Sequence, residues 1–188
     1  MTLTERFLEE INAEFPRFRV VRKRDSGFSK LIDGVLKVVT FGGQRQYMTH
    51  YHTVIANTLY VPDAWDHEAD LERVCVLRHE RVHLRQTRRY TMAGMTFLYL
   101  MPIFPIGLAY GRARIEWEAY EETLRATAEL LGIEAARSPR LQRHIVDQFV
   151  GGSYGYMWPF RSQVEGWVRE AMTQIESEAR SRDTLSEA

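Results

Sequence analysis

The chain has 188 residues, 45% of them hydrophobic, so it can bury a substantial core and lacks the composition of a disordered protein. Basic and acidic residues both number 25, and a net charge of zero argues against nucleic acid or a membrane as a general partner. Cys75 is the only cysteine, so no disulfide can form within the chain. Residues 1–10 carry glutamates and lack an apolar run, unlike a secretory signal, and we expect a cytoplasmic protein.

Apolar periodicity and turn residues predict many helices and a few strands along the chain. In chain order we expect a helix over 2–15 capped by Thr2 or Thr4, a strand over 18–23, a turn at 25–27, a helix over 28–39 and a strand over 52–61. Further helices are expected over 66–90, over 112–131, between Ser138 and Gly151, and over 161–178, with a flexible tail at 181–188. This order predicts a mostly helical α+β protein with a small N-terminal sheet and a single domain over 1–180.

The segment from His79 to His83 fits the pattern HExxH, with Glu80 as the glutamate. Two residues four apart on a helix point the same way, so both imidazoles can reach one ion. The glutamate beside the first histidine can then hold and deprotonate a water molecule at the ion. We therefore expect His79 and His83 to bind Zn²⁺ and Glu80 to act as the general base. The plainer alternative is a solvated helix that carries two histidines by chance.

A catalytic zinc needs a third protein ligand and one open position. On the predicted helix 112–131 the apolar stripe passes close to Glu116, whereas the same spacing turns Glu118 and Glu122 toward solvent. A carboxylate that faces inward needs a partner, and a metal ion is one. Glu116 is therefore the predicted third ligand, with a salt bridge to Arg112 as the alternative.

This combination of HExxH and a helical glutamate resembles the gluzincin branch of the zinc metallopeptidases. Glu116 and Ala119 are also similar to the Glu-x-x-Ala-Asp element of the membrane-embedded HExxH proteases, in which the glutamate binds zinc and the aspartate supports a ligand histidine. Tyr120 stands at the position of that aspartate. The resemblance implies a zincin-like fold, with the small sheet packed on the HExxH helix and a second helix that bears the glutamate. It also implies a strand, here 52–61, that pairs with an extended peptide substrate.

Residues 90–111 contain no charged side chain and approach the roughly 20 residues of a membrane helix. A single crossing would place Glu116 on the opposite side of the membrane from His83, and the two could not share an ion. We therefore expect this segment to form buried core or an apolar flap. Peripheral membrane contact through 91–110 is the alternative.

Several other side chains could contribute to the site. His50 and His52 are a reserve third ligand if they share one face of a strand, although an exposed strand edge is the favoured explanation. His144 could act as an electrophile near the metal, and Tyr120 and Tyr154 could stabilise an oxyanion. Packing or a surface hydrogen bond is the plainer explanation for these three side chains.

Basic side chains follow one another along the predicted HExxH helix, at Arg78, Arg81 and Arg85. Such a stripe could bind nucleic acid, and SprT-like proteases, which the pattern also resembles, combine HExxH with nucleic-acid binding. Nearby glutamates, among them Glu72 and Glu80, are expected to neutralise the stripe instead.

The sequence as a whole thus predicts a zinc-dependent hydrolase, in the first place a peptidase that acts on a peptide or protein substrate. The alternative is a degenerate zincin scaffold, with a structural metal or none, that serves as a protein- or nucleic-acid-binding module. The two hypotheses differ in whether Glu80 acts on a water molecule.

Overall fold

A computed structural model describes residues 1–25, 52–100, 109–151 and 157–186 of the chain. It is mostly helical with one small sheet, which confirms the predicted α+β class. Its internal contacts divide it into two compact units, Met1–Gly94 and Met95–Ala188, and the single domain over 1–180 stays a prediction. The predicted helix over 28–39, most of the turn at 25–27, His50 and Tyr154 lie outside the described residues.

The first unit contains a short helix, three strands and the greater part of a long helix. They are α1 (Leu3–Glu14), β1 (Arg19–Arg22), β2 (Thr53–Ile55), β3 (Thr58–Val61) and the start of α2 (Asp70–Leu100), with 3-10 turns at Lys23–Asp25 and Asp63–His67. The predicted helix over 2–15 and strand over 18–23 are confirmed within a residue or two at each end.

Helix α1 begins at a capping box, and its cap is Thr2, one of the two predicted caps. The Thr2 hydroxyl accepts a hydrogen bond from the Glu5 backbone N–H at 3.1 Å, and the Glu5 carboxylate accepts one from the Thr2 N–H at 2.8 Å. The Asp70 carboxylate accepts two more from the N–H groups of Leu3 and Thr4, at 2.8 and 3.1 Å. The first residue of α2 therefore holds the start of α1 in place.

The sheet has the order β1-β3-β2, with β3 parallel to β1 and antiparallel to β2. The single strand predicted over 52–61 is wrong, because the chain reverses at Ala56 and Asn57 and forms a tight hairpin. Ala56 has a φ of 53°, a left-handed conformation that such two-residue turns require. No glycine marks the turn, which is why the sequence pattern reads as one continuous strand.

The sheet packs on α2 through one apolar cluster, so the predicted contact between the sheet and the HExxH helix is confirmed. The cluster joins residues of α1, the sheet and α2: Ile11, Phe15, Phe18, Leu59, Val61, Trp65, Leu77 and Leu84. Leu77 and Leu84 lie seven residues apart and are almost fully buried, so they fix which side of α2 faces the sheet.

Helix α2 begins at Asp70, four residues later than predicted, because residues 63–67 form a separate 3-10 turn. It is interrupted at Thr91, whose φ of 61° and ψ of 165° are not helical, and it then continues to Leu100. Within the charge-free segment Met95 is buried, while Met92 and Phe97 are exposed. In the part of the chain that is described, no helix is long and apolar enough to cross a membrane.

The second unit contains the end of α2 and a group of helices that pack on one another. They are α3 (Tyr110–Leu131), α4 (Ile133–Arg137), α5 (Pro139–Val150) and α6 (Arg161–Ser186). Their core includes an aromatic cluster in which the Trp117 ring lies 6.2 Å from Phe149 and 5.6 Å from Trp167. One expectation about a helix end is wrong, because α6 extends beyond residue 178 to Ser186.

Candidate metal centre

His79 and His83 lie one turn apart on α2 and project from the same side of the helix. Their ring centroids are 5.0 Å apart and the rings are inclined by 75°, so the imidazoles are neighbours without being stacked. Both are partly buried. At about 100° per residue the two side chains differ in direction by only about 40°, while Leu77 and Leu84 occupy the side of α2 that faces the sheet. The packing of α2 therefore directs both imidazoles away from the apolar core.

Glu116 lies in the first half of α3, among residues that are almost all buried. It is 2% exposed, beside Ile115 at 3% and Trp117 at 6%. The prediction that this carboxylate faces inward is therefore confirmed. The prediction that Glu118 and Glu122 point into solvent is wrong, since both are partly buried. The apolar stripe is wider than expected because Ile115, Ala119 and Ala126 are also buried on α3.

One group of metal-ligating side chains is brought together among the described residues. One ligand atom from each of His79, His83 and Glu116 lies within 4.8 Å of the other two. In a tetrahedral zinc site with bonds of about 2.1 Å, the ligand atoms are about 3.4 Å apart. The three side chains could therefore hold a divalent metal ion, and a donor set of two imidazoles and one carboxylate does not by itself select zinc among such ions.

Glu80 follows His79 directly and is 5% exposed. Its direction on α2 falls between the imidazoles and the side that packs on the sheet, about 60° from His83. A carboxylate that is buried beside a pair of imidazoles can take a proton from a water molecule in a site with little bulk solvent. Glu80 is therefore a buried carboxylate next in sequence to the first imidazole, and its role as a general base stays a prediction.

A further buried residue, which the sequence pattern did not single out, contacts His83. The Gln86 side-chain oxygen lies 2.9 Å from Nδ1 of His83, and Gln86 is 3% exposed. An amide oxygen only accepts hydrogen bonds, so Nδ1 of His83 is the donor in this contact. The signal in the sequence is a glutamine three residues after a ligand histidine, one helical turn away.

Tyr120, predicted as a possible supporting or oxyanion-stabilising side chain, packs in a core, and its role at the site stays a prediction. It is 7% exposed and belongs to the core of the second unit, where its ring lies 5.6 Å from that of Phe149. Packing in the aromatic cluster therefore explains the residue.

The simpler expectation placed His52 on an exposed strand edge, and the structure does not place it there. Its ring packs edge-on against Trp65 at 5.3 Å, and Nε2 lies 3.8 Å from the Glu68 carboxylate. Burial and then the charge of Lys23 lower the pKa of His52 to about 4. His52 does not belong to the group of metal-ligating side chains found among the described residues.

His144 lies on α5 and is exposed at the surface of the second unit. Partial desolvation of its ring lowers the pKa of His144, and its Nδ1 lies 3.5 Å from the amide nitrogen of Gln148. The structure gives His144 a neighbour on its own helix and includes it in no metal-ligating group of the described ranges.

The basic stripe of α2 is paired with α1. Arg85 donates two hydrogen bonds to the Glu14 carboxylate at 2.7 and 2.9 Å, and Arg81 donates one at 2.7 Å. The hydrogen bond from Arg85, followed by those from Arg81, lowers the pKa of Glu14 to about 2. The expected salt-bridged face is confirmed for Arg81 and Arg85, and the carboxylate that pairs with both belongs to Glu14 of α1.

No protein-family model matches this chain, and neither a curated protein nor a solved structure is significantly similar to it. The assignment of a function therefore depends on the site itself.

Proposed function

We propose that this chain is a zinc-dependent hydrolase that cleaves peptide bonds and has a zincin-like fold. His79, His83 and Glu116 would hold the ion, and Glu80 is the general base. The observation that carries the proposal is the group of two imidazoles and one carboxylate whose ligand atoms lie within 4.8 Å of one another, with the buried Glu80 next in sequence to the first imidazole.

A group of three protein ligands is compatible with a catalytic site. Structural zinc sites in proteins use four protein ligands, whereas catalytic sites use three and keep one position open. The group found among the described residues has three members. When bound, Zn²⁺ supplies Lewis-acid chemistry, polarising a carbonyl oxygen and lowering the pKa of water.

The chain's own residues would then handle the proton and the substrate. Glu80 accepts the proton of the attacking water and donates it to the amine nitrogen that leaves. An extended substrate would pair with β2, because β3 already has β1 on one side and β2 on the other. This assignment replaces the undivided strand over 52–61 as the substrate strand.

The test is a digestion of unstructured peptides by the purified chain. After loading with one equivalent of zinc, the protein should release new peptide termini detectable by mass spectrometry. A strong chelator should stop the reaction, and added zinc should restore it. A chain that holds zinc and cleaves nothing contradicts the proposal and favours the alternative, a degenerate zincin scaffold that binds protein or nucleic acid.

A further inference from the structure

The contact between Gln86 and His83 determines where the proton of the imidazole lies. Gln86 is almost completely buried, and its side-chain oxygen is 2.9 Å from Nδ1 of His83. Because that oxygen only accepts hydrogen bonds, a neutral His83 carries its proton on Nδ1. The lone pair is then on Nε2, and a metal ion can bind only there.

We infer that Gln86 is the positioning residue of the metal centre: it holds His83 in the tautomer that leaves Nε2 to the ion. The role of Gln86 at a metal ion rests on the proposed function, whereas its hydrogen bond with His83 does not. Ligand histidines usually donate their second N–H to a neighbouring group, which fixes the ring and strengthens the ligand. Gln86 supplies that group from the same helix, one turn after the ligand.

The charge of the group that supports His83 affects how strongly this histidine binds a metal ion. A carboxylate in this position would raise the basicity of the imidazole, whereas a neutral amide fixes the ring with less added charge. Tyr120, which stands where the resembling proteases have their aspartate, packs in the aromatic cluster of the second unit. The support for His83 that the structure shows thus comes from a neutral residue of α2.

A second histidine–glutamine pair in the chain serves as a matched control. On α5 it is the amide nitrogen of Gln148 that faces Nδ1 of His144, at 3.5 Å. An amide nitrogen donates, so this contact places the proton of a neutral His144 on Nε2. The two pairs thus predict opposite tautomers within one molecule.

Nitrogen-15 NMR of the metal-free chain at pH 8.5 tests the tautomers directly. The spectrum should show His83 protonated on Nδ1 and His144 protonated on Nε2. In Gln86→Leu the proton of His83 should move mainly to Nε2, with His144 unchanged. A wild-type His83 protonated on Nε2, or one that is unaffected by Gln86→Leu, overturns the inference.

Zinc affinity, measured by competition with a chromophoric chelator, gives a second result. Gln86→Leu should bind zinc about 10–100-fold more weakly, and Gln86→Glu should restore the wild-type affinity or exceed it. Gln148→Leu should bind like the wild type. If the wild type binds no zinc, the proposed function fails while the NMR result stands. If all variants bind zinc equally, the inference about Gln86 fails alone. If Gln86→Leu does not fold, the zinc affinity of Gln86→Glu still tests the inference.

Discussion

Two faces of helix α2 carry polar side chains around the HExxH segment, and their environments differ. Arg81 and Arg85 lie about 160° around the helix from the two histidines. They share the Glu14 carboxylate at 2.7 Å, and Arg81 also lies 4.0 Å from Glu10, so both arginines are paired within the first unit. The opposite face instead gathers two imidazoles and the buried amide of Gln86.

This difference separates a face that pairs with α1 from the face that we propose to bind a metal ion. Arginines that are matched by a carboxylate of the same unit need no ligand, and they explain how α1 is fixed to α2. Two imidazoles one turn apart, one of them held by a buried acceptor, are the arrangement that a metal ion uses. The predictions that follow perturb one face and measure whether the other responds.

The largest effect is expected from Glu80→Gln. Loss of the general base should lower kcat by about 10²–10⁴-fold, because a positioned base contributes that much to proton transfer. Zinc content should stay at the wild-type level, since the amide removes the base without removing an imidazole. Arg81→Gln is the control on the other face and should keep near wild-type turnover. Turnover that is insensitive to Glu80→Gln would refute the assigned role.

A smaller effect, on the free energy of unfolding, is expected when zinc is removed. At a free zinc concentration 100-fold above Kd, the free energy of unfolding should rise by about 2.7 kcal/mol relative to the metal-free chain, because only the folded state holds the assembled ligands. Chemical unfolding with and without zinc measures the difference. His83→Ala should lose the stabilisation, and His144→Ala should retain it. A zinc response that persists in His83→Ala argues for binding elsewhere.

The smallest effect is expected on the arginine face. Glu14→Gln should lower the free energy of unfolding by about 1 kcal/mol at pH 7, as expected for a largely solvent-screened ion pair. Because the folded state lowers the pKa of Glu14 from 4.5 to about 2, this stabilisation is complete above pH 4.5 and is lost as pH falls toward 2.

Urea unfolding of Glu14→Gln and of the wild type, at pH 7 and near pH 2, tests the prediction. The difference between the two proteins should disappear near pH 2. Glu10→Gln is the matched control on α1, since Glu10 lies 4.0 Å from Arg81 and is about half exposed. An equal penalty at both pH values would show that the ion pair is not its cause.

The sequence predicted most of the helices and the inward direction of Glu116, because both depend on helical periodicity alone. It did not predict the hairpin at Ala56, where a turn forms without glycine and only tertiary packing selects the left-handed backbone. Nor did it predict the interruption of α2 at Thr91, which no proline or glycine marks.

Within the site, residues whose positions follow from spacing along one helix were predictable. Residues that meet through contacts between distant parts of the sequence were not. His79 and His83 follow from the four-residue repeat of a helix. The pairing of Arg81 with Glu14 joins residues far apart in sequence, so only the fold shows it. Gln86 lies between these cases, because its spacing from His83 is local, but only its burial shows that it supports the ring.

The most direct test of the account is the number of zinc ions held per chain by the wild type and by matched variants, measured by elemental analysis after dialysis. We predict one zinc per chain in the wild type, with loss of that zinc in His83→Ala and in Glu116→Gln. His144→Ala and Glu122→Gln, a histidine and a glutamate outside the group, should retain it. A wild type that binds no zinc, or zinc that is retained in both His83→Ala and Glu116→Gln, would contradict the proposed centre.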